Sequence, residues 1–199
     1  MNKKIALTLV SVVLILVAVY LLRSGLFKRE IREPITITSY ASLEKMSIDD
    51  LIARSDLIVM GRADSVHPSR WNTSDGTLPN DVTVETISSD MIIFTDVDFH
   101  ISETLKGETN QSQLYIRIFG GEVGQDRMII SGEPSLEAGQ AYLLFLSNDS
   151  GSTSKIEPDH FLITGAVQGV YQILDDKAVS VSDEWLLQDL IDYIRKSLP

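Results

Sequence analysis

The chain has 199 residues, a formal net charge of −11 and no cysteine, which excludes disulfides, thiolate zinc sites, cysteine nucleophiles and lipid-modified cysteines. The charge is uneven, because residues 1–29 hold basic side chains and no acid, whereas residues 30–199 carry 12 basic and 28 acidic side chains, a net charge of −16. A domain this acidic repels phosphate backbones, so the composition argues against nucleic-acid binding.

The first element is an uncharged apolar run from Ile5 to Leu22, which we interpret as a transmembrane anchor behind a short tail at residues 1–4. Its 18 residues would span roughly 27 Å as a helix, close to the thickness of a hydrocarbon core. A cleaved signal peptide is the alternative, but Val19–Arg23 lacks the small residues that cleavage needs. Basic residues flank the run on both sides, and the short basic tail favours a domain outside the membrane.

Residues 23–46 are predicted to form a stalk that merges into a domain at residues 47–199. The alternation of Ile35 and Ile37 suggests an edge strand near the end of the stalk. The domain is expected to begin with a short helix from Ser47 to about Ser55, because Ser47 is a favourable N-cap and two aspartates follow in the first turn.

Beyond this helix the hydrophobic period changes to two, which is the period of strands with one buried face. The predicted strands are Leu57–Val66, the alternating segments at Val97–Ile101 and Leu114–Ile118, the apolar run Ala141–Leu146, and one or two strands within Phe161–Leu174. A final helix is predicted to be capped by Ser182, with an apolar stripe that packs on the strands or, alternatively, on a partner.

Three short stretches follow the first helix in a fixed order: Ser55–Ala63 (SDLIVMGRA), Glu103–Gly107 (ETLKG) and Glu137–Leu146 (EAGQAYLLFL). This order resembles that of the netrin-like domains, the group that includes the N-terminal domain of the tissue inhibitors of metalloproteinases. It is also similar to that of uncharacterised bacterial exported proteins with the features Phe119-Gly120-Gly121 and Gly165-x-x-x-Gly169. The resemblance implies a mainly β fold, an OB-like closed barrel of five strands with two flanking helices.

The sequence departs from this group at the residues that carry the known inhibition. The inhibitors chelate the zinc of the protease through an N-terminal cysteine, and this chain has no cysteine. Metalloproteinase inhibition by that mechanism is therefore not expected. Residues 68–91 are longer than the resemblance implies, so we expect an enlarged connection after the first barrel strand.

No residue pattern predicts a cofactor, a metal site or a catalytic centre. The three histidines, His67, His100 and His160, lack the spacing of a ligand pair. Asp96 and Asp98 alternate with apolar residues next to His100, and we interpret them as the solvated face of a half-buried strand rather than a cation site. The serines have no partnered histidine in a local signature, so the sequence gives no support for a serine hydrolase.

Two stretches without clear periodicity, Pro68–Asn80 and Gly120–Glu133, are predicted to be loops on the barrel. With the adjoining Phe119 they supply the candidate binding residues, which are Arg70, Trp71, Phe119, Gly120, Gly121, Glu122 and Arg127. Loops on a rigid scaffold concentrate binding residues, and Trp and Arg are frequent interface anchors. Trp71 has two interpretations, an exposed anchor for a partner or a tryptophan that covers one end of the barrel.

The expected function is a non-catalytic binding module, anchored in a bacterial-type cell membrane with its domain on the outer side. Its expected ligand is a protein or a neutral glycan, because the net negative charge disfavours anionic ligands. One alternative is a hydrolase of envelope polymers that uses carboxylates such as Asp96, Asp98 or Glu122, and another is a structural subunit of a membrane complex. Two carboxyl groups about 5 to 9.5 Å apart in one concave pocket would favour the hydrolase.

Overall fold

The computed structural model describes residues 32–40 and 42–198. The predicted tail at residues 1–4, the anchor at residues 5–22 and the first part of the stalk therefore lie outside the described residues. Among the residues that are described, no helix has the length and apolar character needed to cross a membrane. Residues from Pro34 onward form one compact unit.

The elements of this unit are mostly short strands. The strands are β1 (Thr36–Ser39), β2 (Leu57–Val66), β3 (Arg70–Trp71), β4 (Ile93–Lys106), β5 (Gln113–Phe119), β6 (Gly121–Val123), β7 (Asp126–Ile130), β8 (Ala141–Asn148), β9 (Phe161–Ile163), β10 (Val170–Leu174), β11 (Lys177–Val179) and β12 (Glu184–Leu186). The helices are α1 (Ile48–Arg54) and α2 (Leu187–Ser197), with a short 3₁₀ turn at Ala166–Gly169.

Five of these strands close into a barrel. Strand β2 pairs with β4, β4 with β5, β5 with β9, β9 with β8, and β8 again with β2. The β5–β9 pair is parallel and the other four pairs are antiparallel. This closed ring of five strands is compatible with an OB-like fold. The predicted mainly β closed barrel with two helices is confirmed.

One face of each barrel strand fills the interior, which explains the period-two sequence pattern. Val97 and Phe99 of β4 lie in this core together with Leu114 and Ile116 of β5. Leu136, from the connection between β7 and β8, is buried in the same cluster. Side chains between these positions point to the outside of the barrel, because successive residues of a strand alternate between its faces.

Strand β8 is buried on both faces. Leu144 and Leu146 lie in the barrel core, whereas Leu143 and Phe145 belong to a second cluster on the outside. That second cluster includes buried residues from both helices, and its helical members are Leu51, Ile52, Leu190, Ile191 and Ile194. Double burial explains the continuous apolar sequence of β8, as in strands covered on both sides.

Helix α1 begins at the predicted residue. The amide of Asp50 donates to Ser47 Oγ at 3.1 Å, and the amide of Ser47 donates to the Asp50 carboxylate at 3.0 Å. These two bonds form a capping box that satisfies amides at the start of the helix.

Helix α2 begins later than predicted, and the prediction that Ser182 caps it is wrong. Residues 184–186 form β12, which pairs with β11, and the helix starts at Leu187. The hydroxyl of Ser180 donates to the Asp183 carboxylate at 2.6 Å within the turn that leads into β12. Ser182 and Asp183, which look like a helix start in the sequence, therefore belong to a turn between strands, and Glu184 begins β12.

The enlarged connection between β2 and β4 builds a small core of its own around Trp71, which is 0% exposed. The buried residues of this core are Ile35, Trp71, Leu78, Ile93 and Met128. The indole Nε1 of Trp71 donates to Asp126 at 3.2 Å, and the amide of Ile35 donates to the same carboxylate at 3.0 Å. Trp71 is thus a core residue and not an exposed anchor for a partner.

The end of the predicted stalk packs into this small core. Strand β1 follows the buried Ile35 and pairs in parallel with β7 at the edge of a three-stranded sheet that also contains β6. Of the two isoleucines whose alternation suggested an edge strand, the first, Ile35, is therefore buried.

We expect Trp71→Ala to lower the free energy of unfolding by about 3 to 5 kcal/mol, because it empties a core site and leaves Asp126 without its indole donor. Urea unfolding of the full chain in detergent micelles measures the change. Val84 lies in the same connection but is 59% exposed, so Val84→Ala is the control and should change the stability by less than about 0.5 kcal/mol. A loss below about 1 kcal/mol for Trp71→Ala would contradict the burial.

Candidate binding site

A concave pocket of about 480 Å³ lies on the outer face of β4 and β5. Its lining residues are His67, Pro68, Arg70, Asp96, Tyr115, Glu157 and Pro158. The connection after β2 forms one side, and residues 149–160, which join β8 to β9 and are called the strap below, form the other. The volume is typical of small-molecule sites. OB-type barrels bind ligands on the face of their second and third strands and at these two connections.

The floor of the pocket follows from the alternation of β4 and β5. Asp96 and Asp98 project to the outside of β4, where they lie opposite Arg117 and Tyr115 of β5 in the strand register. His100 continues the same face and is exposed. The outer face therefore presents a row of polar side chains.

Asp96 and Arg117 form a buried ion pair at the base of this row. Nε and Nη2 of Arg117 donate to the two carboxylate oxygens of Asp96 at 2.7 and 2.9 Å. The side chain of Arg117 is 0% exposed and that of Asp96 is 7% exposed. The predicted solvated face is therefore wrong for Asp96, because the strap covers this part of the strand. Such bidentate, charge-assisted pairs are strong and directional.

Arg117 also fixes the strap to the barrel. Its Nη1 donates to the carbonyl oxygens of Thr153 at 3.1 Å and Ile156 at 3.0 Å. Its guanidinium lies 3.9 Å from the ring centroid of Phe94, a cation–π contact. One side chain of β5 therefore joins β4, the strap and an aromatic ring.

The two ends of the strap are joined by Asp149 and His160, whose side chains are 2% and 1% exposed. His160 Nε2 lies 3.0 Å from the Asp149 carboxylate, and its Nδ1 lies 2.8 Å from the carbonyl of Pro158. Burial acts to raise the pKa of Asp149, but hydrogen bonds from the Thr153 hydroxyl, the Gly151 amide and His160 outweigh burial and hold the pKa below its ordinary value. The strap is thus a loop whose two ends are joined by the Asp149–His160 pair, which is called the Asp149 clasp below.

Arg70 forms the opposite wall of the pocket and reaches across to the strap. Its Nη2 donates to the carbonyl of Glu157 and lies 3.5 Å from the Asp96 carboxylate. Its guanidinium lies 4.8 Å from the centroid of the Phe94 ring. The two connections that flank the pocket are therefore held together by Arg70.

A second polar cluster surrounds Asp98. His67 Nε2 lies 3.1 Å from Asp98 Oδ2, and the Ser65 hydroxyl donates to the same oxygen. Burial acts to raise the pKa of Asp98, but Ser65, His67 and Gln113 together outweigh burial and hold the pKa below its ordinary value. The ring of His67 lies 6.1 Å from that of Tyr115. Ser65 and His67 both bond to the aspartate, which differs from the serine–histidine bond of a hydrolytic triad.

The predicted binding residues do not share one site. Arg70 lines the pocket, Trp71 is buried, and Phe119 ends β5. The others, Gly120, Gly121, Glu122 and Arg127, lie in or next to the β6–β7 hairpin. The stretches predicted as loops therefore contain three short strands, β3, β6 and β7.

The β6–β7 hairpin has structural reasons for its residues. Gly121 has φ +127°, and a Cβ added to it would lie 2.2 Å from Ser69 Oγ, so this position needs glycine. Gly120 also has a positive φ, of +99°. Glu122 and Arg127 form an exposed cross-strand ion pair at 3.1 Å. These residues are accounted for without a ligand.

Sequence reasoning overlooked most residues of the pocket. The outward position of Tyr115 could have been predicted from the sequence, because this residue alternates with Leu114 and Ile116, which face inward. Glu157 and Pro158 gave no such signal, since the strap has no period and lies far from β4 and β5 in the sequence. Their position depends on the long-range bonds of Arg117 and Arg70.

Over residues 32–40 and 42–198, no group of three or more histidine, aspartate or glutamate side chains is arranged to hold a metal ion. No protein-family model matches the sequence, and no curated protein matches it. The OB-like comparison therefore depends on the strand order and closure of the barrel.

We expect Arg117→Ala to destabilise the protein by about 3 to 5 kcal/mol, because it leaves the Asp96 carboxylate buried without its partner. Arg127→Ala is the matched control, since its ion pair with Glu122 is exposed and should contribute at most about 1 kcal/mol. Urea unfolding of both variants gives the comparison. Equal losses in the two variants would show that the Arg117 pair is not buried in solution.

The Asp149 clasp should make the free energy of unfolding depend on pH in the acid range. A carboxyl whose pKa is lowered in the folded state stabilises the fold above its ordinary pKa, and this contribution disappears as the pH falls through the folded value. Asp149→Asn should therefore cost about 3 to 5 kcal/mol at pH 7, and the difference from the unaltered chain should shrink below about pH 4. Unfolding measured between pH 3 and pH 7 tests this prediction.

Asp159→Asn serves as the control, because Asp159 lies in the same strap but is exposed. Its effect should stay within about 0.5 kcal/mol at each pH. An Asp149→Asn cost that is equally large at pH 3 and pH 7 would argue against the charged clasp.

Proposed function

We propose that the chain is a non-catalytic binding module that is anchored in a cell membrane by its N-terminal apolar run and holds its barrel on the outer side. The observation that carries this proposal is the pocket on the β4–β5 face, which lies where OB-like barrels bind their ligands. The netrin-like resemblance of the sequence supports the same type of barrel. The ligand class is a protein or a neutral glycan.

Support for the anchor comes from the sequence. The run from Ile5 to Leu22 is uncharged, is long enough to span a hydrocarbon core, and is bracketed by Lys3, Lys4 and Arg23. Its end lacks a small-residue cleavage motif, so the run stays attached to the domain.

The carboxylates considered for a hydrolase are already engaged in other interactions. Asp96 is paired with Arg117, and Asp98 accepts a hydrogen bond from Ser65 and lies against His67. Glu122 lies in the exposed β6–β7 hairpin and is not among the residues that line the pocket. Two free carboxyl groups that face each other across one pocket are the requirement for that chemistry. Binding is therefore the better-supported function.

Affinity capture from intact cells with the full chain tests the proposal. We expect Tyr115→Ala to weaken retention of the captured ligand by about 2 kcal/mol or more, the usual size for a binding hot spot, because Tyr115 lines the pocket. Tyr40→Ala is the matched control, since Tyr40 is 87% exposed and is not a pocket residue. The unfolding midpoint of both variants is measured alongside.

The result would contradict the proposed site if both tyrosine variants retained the ligand equally. The same cells test the anchor, because the proposal requires the chain to pellet with membranes and to begin at its own first residue. A form that starts near residue 24 would refute the anchor while leaving the pocket untouched.

A further inference from the structure

The charges at the base of the pocket are largely neutralised within the protein. The carboxylate of Asp96 is paired with Arg117 and lies 3.5 Å from Arg70, so this carboxylate is balanced by two guanidinium groups. A ligand therefore does not meet a strong net charge at the floor. The hydrogen-bonding groups that it meets are those on the walls.

The walls offer both donors and acceptors. Arg70 keeps donors beyond the Nη2 bonds to the strap and Asp96, and a guanidinium can only donate. Glu157 is exposed, and within the described part of the chain its carboxylate and the Tyr115 hydroxyl have no hydrogen bond or ion pair to another residue. An ionised carboxylate can only accept. The ring of His67 is directed by Asp98 and supplies a further polar atom.

This combination suits hydroxyl groups. A hydroxyl both donates and accepts, so neighbouring hydroxyls on one ligand can satisfy the Arg70 guanidinium and the Glu157 carboxylate together. A purely anionic ligand would be repelled by Glu157 and by the net charge of −16 on residues 30–199. A purely cationic ligand would meet Arg70, whose side chain is 39% exposed.

The remaining lining is flat and apolar. Pro68, Pro158 and the ring of Tyr115 present carbon surfaces beside the polar groups. Flat apolar surfaces next to a few placed polar groups are the usual composition of a specific small-ligand site. A sugar ring has the matching structure, with C–H groups on its faces and hydroxyls around its rim.

We propose that the pocket binds a neutral saccharide, which stacks on Tyr115 and shares its hydroxyls between Arg70 and Glu157. This inference rests on the proposed function of the pocket and specifies its ligand class. The volume of about 480 Å³ restricts recognition to a short part of a longer glycan chain.

Isothermal titration of the full chain tests the inference, in micelles of a detergent without a sugar head group so that the detergent does not compete. The probes are neutral tetrasaccharides, namely the N-acetylglucosamine tetramer, cellotetraose and maltotetraose. Tetragalacturonate is the anionic counterpart. We expect at least one neutral probe to bind and the anionic probe to bind at least about tenfold more weakly.

Two variants address the walls separately. Glu157→Gln removes the charged acceptor and Tyr115→Ala removes the ring, and each should weaken the neutral probe at least about tenfold. The controls are Glu122→Gln and Tyr40→Ala, which make the same chemical changes outside the pocket and should leave the binding unchanged. Unfolding midpoints of all four variants establish that each variant is folded.

The inference is overturned if no neutral probe binds, if the anionic probe binds best, or if binding survives both wall variants. These outcomes are separable from failure of the proposed function. Capture of a protein that depends on Tyr115, without saccharide binding, would retain the binding module and reject the saccharide. Loss of both Tyr115-dependent capture and saccharide binding would reject the two together.

Discussion

The arrangement of the pocket depends on the buried charge of Arg117. A guanidinium without solvent is stable only if its donors are satisfied, and here Asp96 and two carbonyl groups of the strap accept from it. Satisfying this charge brings the strap against the barrel. The strap in turn places Glu157 and Pro158 at the edge of the pocket. A charge that is costly to bury thereby determines the position of a loop that has no regular secondary structure to hold it.

The rest of the framework follows from closure of the barrel. Once β9 pairs with both β5 and β8, every barrel strand has an inner and an outer face, and the polar residues of β4 and β5 that line the pocket lie on the outer one. The connection after β2 is long, but it is not a free loop, because Trp71 and Asp126 organise it around a core of its own. The pocket therefore lies between two ordered segments, which reduces the entropy cost of binding.

Local sequence signals predicted those parts of the fold that local physics controls. Ser47 caps its helix because the bonds involved span three residues, and the inward residues of β4 and β5 follow the alternation of a strand. The errors occur where distant segments intervene. Asp96 has the pattern of a solvated residue, yet the strap buries it. Ser182 and the acidic residues after it have the pattern of a helix start, yet residues 184–186 pair with β11. Among the residues that line the pocket, Arg70 was predicted from the sequence as a binding residue.

The carboxyl groups that the sequence offered for a hydrolase bear on the choice between binding and cleavage. A glycosidase requires a proton donor whose pKa is raised towards neutrality, placed across the bond from a second carboxylate. The pKa of Asp98 is lowered, so it stays ionised at neutral pH, and Asp96 is committed to Arg117. Burial does raise the pKa of Glu133, but this residue is not part of the pocket lining. The raised pKa of Glu133 and the pocket therefore lie in different places, which favours the proposed binding role over the hydrolase.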